Sequence, residues 1–533
     1  MIPSLFSGII SPSACTAATF PYPIIQDVNF LSLEANLVKN FSSNLGPVPN
    51  HGPVNVTNIG FCNVSTTYTH YGGNDTVNVQ VWLPTDTWNG RLQGIGGGGW
   101  SAGLNFPAPD GMAAAVAEGF GSFGTSAGLI QADVTTPKTW AFKAEGKPNM
   151  RLLENLAYAS LYEAAVIAKN FTAAFYTEPA KYSYWSGCSQ GGRQGLMLAQ
   201  RYPDLFDGIA AAAPAINWNS VFVGGTYANF LMDLYKVYPP RCEVQALTDA
   251  AIKACDGSDG LVDGILSDID ACDFDPVNLV GTTIQCEGFP YLNVTTERKI
   301  SLGAATIVQK TWDGPRRANN SQLWYGASPA AALGGGVYAN LNGGSFAPIG
   351  TVCGANGTCT LDPLVLFREW TRFFVLKNST ADLSNLSLEE YEDIFDSSAR
   401  EYASIIDTNN PDLSAFRQAG GKLLTFHGTA DDLIPYQGSV DYYNRVTALD
   451  PNVHDFYRLF LAPGVYHCNS GPGPFPDTAF NTLVQWVESG VAPETLIAHS
   501  FGTEPSYERP LCPYPQKQKY VKTSNGTNIF TCE

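Results

Sequence analysis

The sequence predicts an α/β fold built on an open, mainly parallel sheet, and three observations predict it. A G-x-S-x-G pentapeptide, Gly187-Cys188-Ser189-Gln190-Gly191, sits between a strand-like and a helix-like segment. An aspartate and then a histidine follow far downstream, each just beyond another apolar strand. Between serine and aspartate, a long stretch rich in aspartate, glycine and cysteine interrupts the alternation of strand and helix, as an insertion would.

The elements follow in chain order. Val77–Leu83 and Arg91–Ile95 read as strands, and Arg151–Lys169 as a long helical run. Lys181–Ser186 has the aromatic, β-favouring composition of a short strand. Gly192–Arg201 reads as a helix that stops before Pro203. The small apolar run Gly208–Pro214 suits a strand buried on both faces. In the middle stretch only helical patches stand out, at Leu247–Ala254 and Leu364–Leu376. The last block holds the strands Gly421–His427 and Phe456–Ala462 and a helix over Ala479–Glu488. The division expected is a discontinuous core of residues 1–215 and 405–533, with 216–404 inserted as a lid between nucleophile and acid.

In this order of residues the glycines two before and two after Ser189 permit a sharp strand-to-helix turn that presents a nucleophile. Asp431 follows the strand ending at His427 and is the expected acid; Asp432 remains the alternative, because one sequence does not say which carboxylate turns inward. Of six histidines, His51 and His70 precede the serine and read as surface or hydrogen-bonded structural residues. His427 lies inside the acid's own strand, as a packed neighbour of Asp431. His454 falls at the wrong end of its strand, and His499 lies far downstream. His467 alone satisfies order and position, and it carries a further mark: Cys468 follows it as Cys188 precedes Ser189. A Cys188–Cys468 disulfide would bring the two Cα atoms to roughly 4.4–6.8 Å and hold serine and histidine in register. Gly96-Gly97-Gly98-Gly99 follows the strand Arg91–Ile95, where a glycine-rich loop can bring a backbone N–H, taken here as that of Gly98, to the oxyanion beside the N–H of Gln190.

Composition narrows the function. Across 533 residues with 44% hydrophobic content the chain can bury large cores. A net charge of −18 argues against nucleic acid or an anionic membrane surface as partner. No apolar run reaches the ~18–20 residues of a spanning helix. The apolar start, Met1–Ala14, lacks the basic residues of a secretory signal and stays unassigned. Twelve cysteines without paired C-x-x-C spacing suit an oxidising compartment. Sequons at Asn40, Asn55, Asn63, Asn74, Asn170, Asn293, Asn319, Asn356, Asn378, Asn385 and Asn525 point the same way, to a glycosylated secreted protein.

Within the insertion, Asp256, Asp259 and Asp263 crowd into a glycine-bent loop and would repel one another unless neutralised. The choice is between a solvated acidic turn and a hard cation such as calcium, which alternate backbone carbonyls would help to ligate. Flanking Cys255 and Cys272, able to staple the loop, favour calcium; the spacing is not that of an EF-hand.

Taken together, Gly187–Arg193, His467-Cys468, the Cys255–Ile265 loop, Gly96–Trp100 and Trp312-Asp-Gly-Pro-Arg316 resemble the tannase and feruloyl esterase family of serine esterases, which also includes a bacterial hydrolase of a terephthalate monoester. The resemblance covers most of the chain and implies an α/β-hydrolase core with a large lid inserted between nucleophile and acid. It also implies the triad Ser189, Asp431, His467 braced by Cys188–Cys468. Calcium would be held by the side chains of Asp256, Asp259 and Asp263 and the backbone oxygens of Leu261 and Ile265. Matching spacing sets Cys255–Cys272; Cys353–Cys359, Cys512–Cys532, Cys15–Cys62 and the remaining Cys242–Cys286 are expected beside it. The activity implied is hydrolysis of small aromatic esters or feruloylated polysaccharide of plant cell walls. Galloyl esters are the alternative, since Tyr238-Pro-Pro-Arg-Cys242-Glu243 resembles a tannase lid. A different class, an inactive secreted calcium- or carbohydrate-binding protein, would need a damaged triad or oxyanion loop, and neither is apparent.

Overall fold

Apolar alternation and β-branched runs place nine strands in one sheet of the computed structural model. The structure describes residues 14–130, 133–286, 296–335, 346–354, 357–501, 506–522 and 528–533. Residues 1–13 of the unassigned apolar start and the sequons at Asn293, Asn356 and Asn525 lie outside them.

The strands are β1 (Val28–Val48), β2 (His51–His70), β3 (Val77–Pro84), β4 (Arg91–Ile95), β5 (Gly121–Thr125), β6 (Tyr182–Cys188), β7 (Gly208–Ala212), β8 (Lys422–Gly428) and β9 (Tyr457–Ala462). Their order across the sheet is β1-β2-β3-β5-β4-β6-β7-β8-β9. The first four in that order pair antiparallel, and from β5 onward every pairing is parallel. The parallel strands are buried along most of their length, which explains their unbroken apolar runs.

Helices cover both faces. Against one pack Leu161, Ala164, Ala168 and Phe171 of the helix Ala159–Tyr176 and Tyr442, Tyr443 and Val446 of Gln437–Leu449. Against the other pack Phe480, Leu483 and Trp486 of Ala479–Ser489. Among the described residues of 213–421, none contributes a strand to this sheet. A separate core built around Trp100, Trp218, Phe222, Trp370 and Phe374 joins that stretch to the sheet's carboxyl edge. Among the described residues, no helix is long and apolar enough to cross a membrane.

Two expected helices come out differently. Arg151–Lys169 is not one run but two helices, α1 (Met150–Ala157) and α2 (Ala159–Tyr176), broken at Tyr158 with φ −159° and ψ −37°. The carbonyls of Leu156 and Ala157 freed at the break accept hydrogen bonds from the guanidinium of Arg193 instead. Leu364–Leu376 begins as an α-helix over Val365–Trp370 and widens into a π turn over Thr371–Val375. The expected pairs Cys15–Cys62, Cys188–Cys468, Cys242–Cys286, Cys255–Cys272, Cys353–Cys359 and Cys512–Cys532 are all bonded.

His70, read as structural, ties the end of β2 to α2. Its Nδ1 meets Asp75 Oδ2 at 2.5 Å and its Nε2 meets Glu163 Oε1 at 2.8 Å, while Tyr68 donates to the other Glu163 oxygen. Burial works to lower the His70 pKa, but the two carboxylates outweigh it and raise the pKa to about 9. Asp75 is buried too, yet hydrogen bonds from His70 and Asn155 hold its pKa well below the usual carboxylate range. The raised His70 pKa contributes stability that is complete below about 6.5, the unfolded value, and fades as pH climbs to about 9. The depressed Asp75 pKa adds stability that is lost only in acid. Thermal unfolding from pH 6.5 to 9 should therefore show the advantage of wild type over His70→Gln shrinking; an advantage constant across that range would contradict a charged His70.

Candidate active site

Ser189 occupies the turn between β6 and the helix α3 (Gln190–Arg201), with φ 62° and ψ −121°, a strained combination for a residue with a Cβ. The flanking glycines are required by contact. A Cβ on Gly187 would lie 2.4 Å from the Gly191 carbonyl carbon, and one on Gly191 would lie 2.8 Å from Gly97 O. A Cβ on Gly96 would reach 2.6 Å from the Gly191 Cα, so the glycine-rich loop after β4 is pressed directly onto the elbow. The turn is held by Ser189 N donating to Ala212 O at 3.1 Å and by Trp185 Nε1 donating to Gly191 O at 3.0 Å. Ser189 is half-buried, and its hydroxyl makes no hydrogen bond among the described residues, to His467 or to any other. The absence of that bond without substrate does not exclude the pair, because catalytic hydrogen bonds often tighten only in a complex.

The acid and the imidazole do meet. His467 Nδ1 lies 2.9 Å from Asp431 Oδ2, and Asp431 Oδ1 accepts from the N–H groups of Leu433 at 2.9 Å and Ile434 at 2.8 Å. A carboxylate facing Nδ1 fixes the proton there and leaves Nε2 as the acceptor. His427 braces the same carboxylate: its Nε2 donates toward Asp431 Oδ2 at 3.1 Å and Ile434 O at 3.0 Å, and Ser439 Oγ lies 2.8 Å from its Nδ1.

Burial opposes ionisation of Asp431, but His467 and His427 overcome it and hold the pKa well below the ordinary range. In turn, burial would lower the His467 pKa, and Asp431 raises it above that of a free imidazole. Asp432 differs. Burial, then the charge of Asp431, push its pKa up to about 7, and it accepts from backbone N–H groups, that of His467 at 3.4 Å among them, with neither imidazole hydrogen-bonded to it. Of the two candidate carboxylates, then, Asp431 faces the ring.

Ser189, Asp431 and His467 leave the carboxyl ends of β6, β8 and β9, on one edge of the sheet. Cys188 and Cys468 are bonded, with Cα atoms 5.8 Å apart, so the elbow and the histidine loop are joined covalently. Of the glycine loop, Gly96 N donates to Ser186 O at 2.9 Å and Gly97 N to Gln194 Oε1 at 2.8 Å. The N–H of Gly98 has no partner among the described residues, and Gln190, first residue of α3, has no helical acceptor for its own. A mainly apolar cavity lined by Tyr227, Trp324, Phe367 and Leu433 ends on Asp431 and Asp432.

Three supporting side chains escape a sequence reading. Asn50, buried at the turn between β1 and β2, donates to Ser186 Oγ, Gly187 O and Ala210 O at 3.0–3.2 Å and fastens the hairpin to the elbow strand. Nothing local marks it. Arg193 closes the Gly187–Arg193 motif without a role read from it, and nothing singles out Gln194; their partners, Gly97 and Ala102 for Gln194 and Leu156, Ala157 and Ile406 for Arg193, are distant in sequence.

In the acidic loop, Asp256 accepts from the N–H groups of Asp263 and Gly264 at 3.2 and 2.9 Å, and Asp259 Oδ1 from Leu261 N at 2.9 Å. Asp259 Oδ2 is buried and has no hydrogen-bond partner among the described residues, an acceptor that a cation would satisfy. Asp263 is engaged by Arg509, and among the described residues no three or more His, Cys, Asp or Glu side chains converge closely enough to hold a metal.

The family model described as tannase and feruloyl esterase matches residues 62–532. A probable feruloyl esterase of Arthroderma benhamiae is 39% identical over 486 residues, covering 89% of this chain and 86% of that one. Tannin acyl hydrolase from Aspergillus niger superposes with a TM-score of 0.87 at 28% identity, over 100% of this chain and 96% of that one. Feruloyl esterase B from Aspergillus oryzae superposes with a TM-score of 0.74 at 25% identity, over 96% and 98%.

Proposed function

The chain belongs to the tannase and feruloyl esterase family, a family of carboxylic ester hydrolases, and from that premise we propose that it is a secreted serine esterase of hydroxycinnamoyl esters. The observation that carries the reading is the covalent junction of the Ser189 elbow with a loop whose histidine is already bonded to a buried aspartate.

In the proposed reaction His467 Nε2 takes the proton of Ser189 as Oγ attacks the ester carbonyl. The N–H groups of Gln190 and Gly98 receive the developing oxyanion, each such donor contributing about 3–4 kcal/mol to the transition state. Asp431 stabilises the imidazolium, which then protonates the departing alcohol; water, activated by the same histidine, releases the acid from the serine. Residues 216–404 act as the lid, and Tyr227, Trp324 and Phe367 from it enclose the acid.

The substrate proposed first is the feruloyl ester of plant cell-wall polysaccharide, supported by the 39% identity to a probable feruloyl esterase. Galloyl esters are the second reading, favoured by the TM-score of 0.87 to a tannin acyl hydrolase. Six disulfides, and exposed sequons at Asn40, Asn55, Asn74, Asn319, Asn378 and Asn385, support a glycosylated extracellular protein. Calcium, if bound, would be held by Asp256, Asp259 and Asp263 with the carbonyls of Leu261 and Ile265. It would neutralise the loop and stiffen the lid, taking no part in the chemistry.

A serine-directed phosphonate should label Ser189 stoichiometrically, and methyl ferulate should be cleaved faster than methyl caffeate, sinapate or gallate. A preference for methyl gallate would transfer the assignment to the second reading. No adduct at Ser189 would leave a secreted calcium- or carbohydrate-binding protein in its place. For the metal, elemental analysis should find calcium in the purified protein, and chelation should lower the unfolding temperature more than it lowers turnover measured well below it; a metal-free native protein would refute the site.

A further inference from the structure

The most deeply enclosed charge near the serine is Arg193, fully buried one turn into α3. All five of its N–H donors are used. Nε donates to Gln190 Oε1 at 2.6 Å, Nη2 to the carbonyls of Leu156 and Ala157 at 3.1 Å, and Nη1 to Ala157 O at 3.1 Å and Ile406 O at 3.3 Å. The guanidinium also lies 5.8 Å from the ring centroid of Trp218. None of these hydrogen-bond acceptors is a carboxylate, and burial lowers its pKa to about 9 against the pull of nearby Asp407. Asp407 itself accepts from Asn219 N at 2.9 Å.

These partners mark a junction. Trp218 opens the first helix after β7, Trp218–Gly224, and Ile406 closes the helix Leu388–Ile406, the last long one before β8. The inserted stretch therefore leaves and rejoins the core at one guanidinium. On its other side that guanidinium grips Gln190, which follows the serine and whose own N–H has no acceptor among the described residues. An apolar side chain would fill the space without the cost of burying a charge. What it would not supply is directional hydrogen bonds fixing one first-turn residue against the ends of two other helices, α1 and Leu388–Ile406.

We infer that Arg193 is a positioning residue that couples the inserted segment to the oxyanion donor. By tying the Gln190 side chain to the end of the Leu388–Ile406 helix through hydrogen bonds, with Trp218 of the entering helix against the guanidinium, it sets where the Gln190 N–H points, so lid placement and oxyanion stabilisation are linked. The inference rests on the serine esterase reading above and adds to it a residue that touches neither substrate nor triad.

A double-mutant cycle on the full-length enzyme tests it, using methyl ferulate and an arylboronate that mimics the tetrahedral adduct. Gln190→Leu keeps the backbone donor and removes only the side-chain acceptor. It should lower kcat about tenfold with KM within about twofold, and weaken the boronate by a similar factor, in assays run well below an unfolding temperature that falls as the buried Nε loses its acceptor. Arg193→Lys should lower kcat at least as much, and the double variant no further than Arg193→Lys alone, the signature of one shared interaction. Should Arg193→Lys fail to fold, Gln190→Leu decides by itself. Full kcat in Gln190→Leu, or strictly additive losses, would overturn the coupling while wild type still hydrolyses ester and takes phosphonate at Ser189. A wild type that does neither would overturn the esterase reading and the coupling together.

Discussion

The bond between Cys188 and Cys468 is the constraint on which the rest depends. It joins positions 280 apart in sequence and lies immediately before the elbow serine and immediately after the loop histidine. In a triad without such a bond, serine and histidine loops are kept in register by packing alone. Here packing positions the acid instead: Asp431 is fixed by two backbone N–H groups and by His427, and it fixes His467. The sulfur bridge then carries that order across to Ser189, the proposed nucleophile. Both Ser189 and Cys468 adopt left-handed backbone conformations, so the bridge also holds together two turns that each cost about 1–3 kcal/mol to maintain.

Around this junction the backbone is packed to contact. The glycine-rich loop after β4 and the glycines of the elbow interlock so closely that no side chain fits between them. Polar anchors complete the enclosure: Asn50 from the hairpin, Gln194 under Gly97, and Arg193 beneath Gln190. Catalysis by preorganised dipoles needs this, because donors aimed at a developing oxyanion gain most when they need not reorganise. The arrangement also shows how the long stretch 213–421 can run between Ser189 and Asp431 without loosening either. Its two ends converge on a single buried cation, and its aromatic residues close over the acid.

Much of this was legible because it is local. A strand, two glycines, a serine and an amphipathic helix follow one another within about twenty residues, and each strand that precedes Asp431 and His467 is a short apolar run buried on both faces. The cysteines beside Ser189 and His467 carried the one long-range contact that could be read directly. Other features were set by tertiary contacts. The hairpin of β1 and β2 is polar and only half-buried, and its register shifts repeatedly, which erases the alternation a strand would show. The break at Tyr158 belongs to Arg193, distant in sequence. The choice of Asp431 over Asp432 depends on which carboxylate two backbone N–H groups and two imidazoles can reach.

The most direct measurement of the central claim is the kcat of a Cys188→Ala/Cys468→Ala double variant at 25 °C, well below its unfolding temperature and with native circular dichroism confirmed. If the bridge sets the register of nucleophile and base, kcat falls on the order of a hundredfold while the fold persists, since a displacement of about an ångström at the reacting groups has that effect. A kcat within about twofold of wild type would contradict the account, because it would mean that packing alone already holds Ser189 and His467 together.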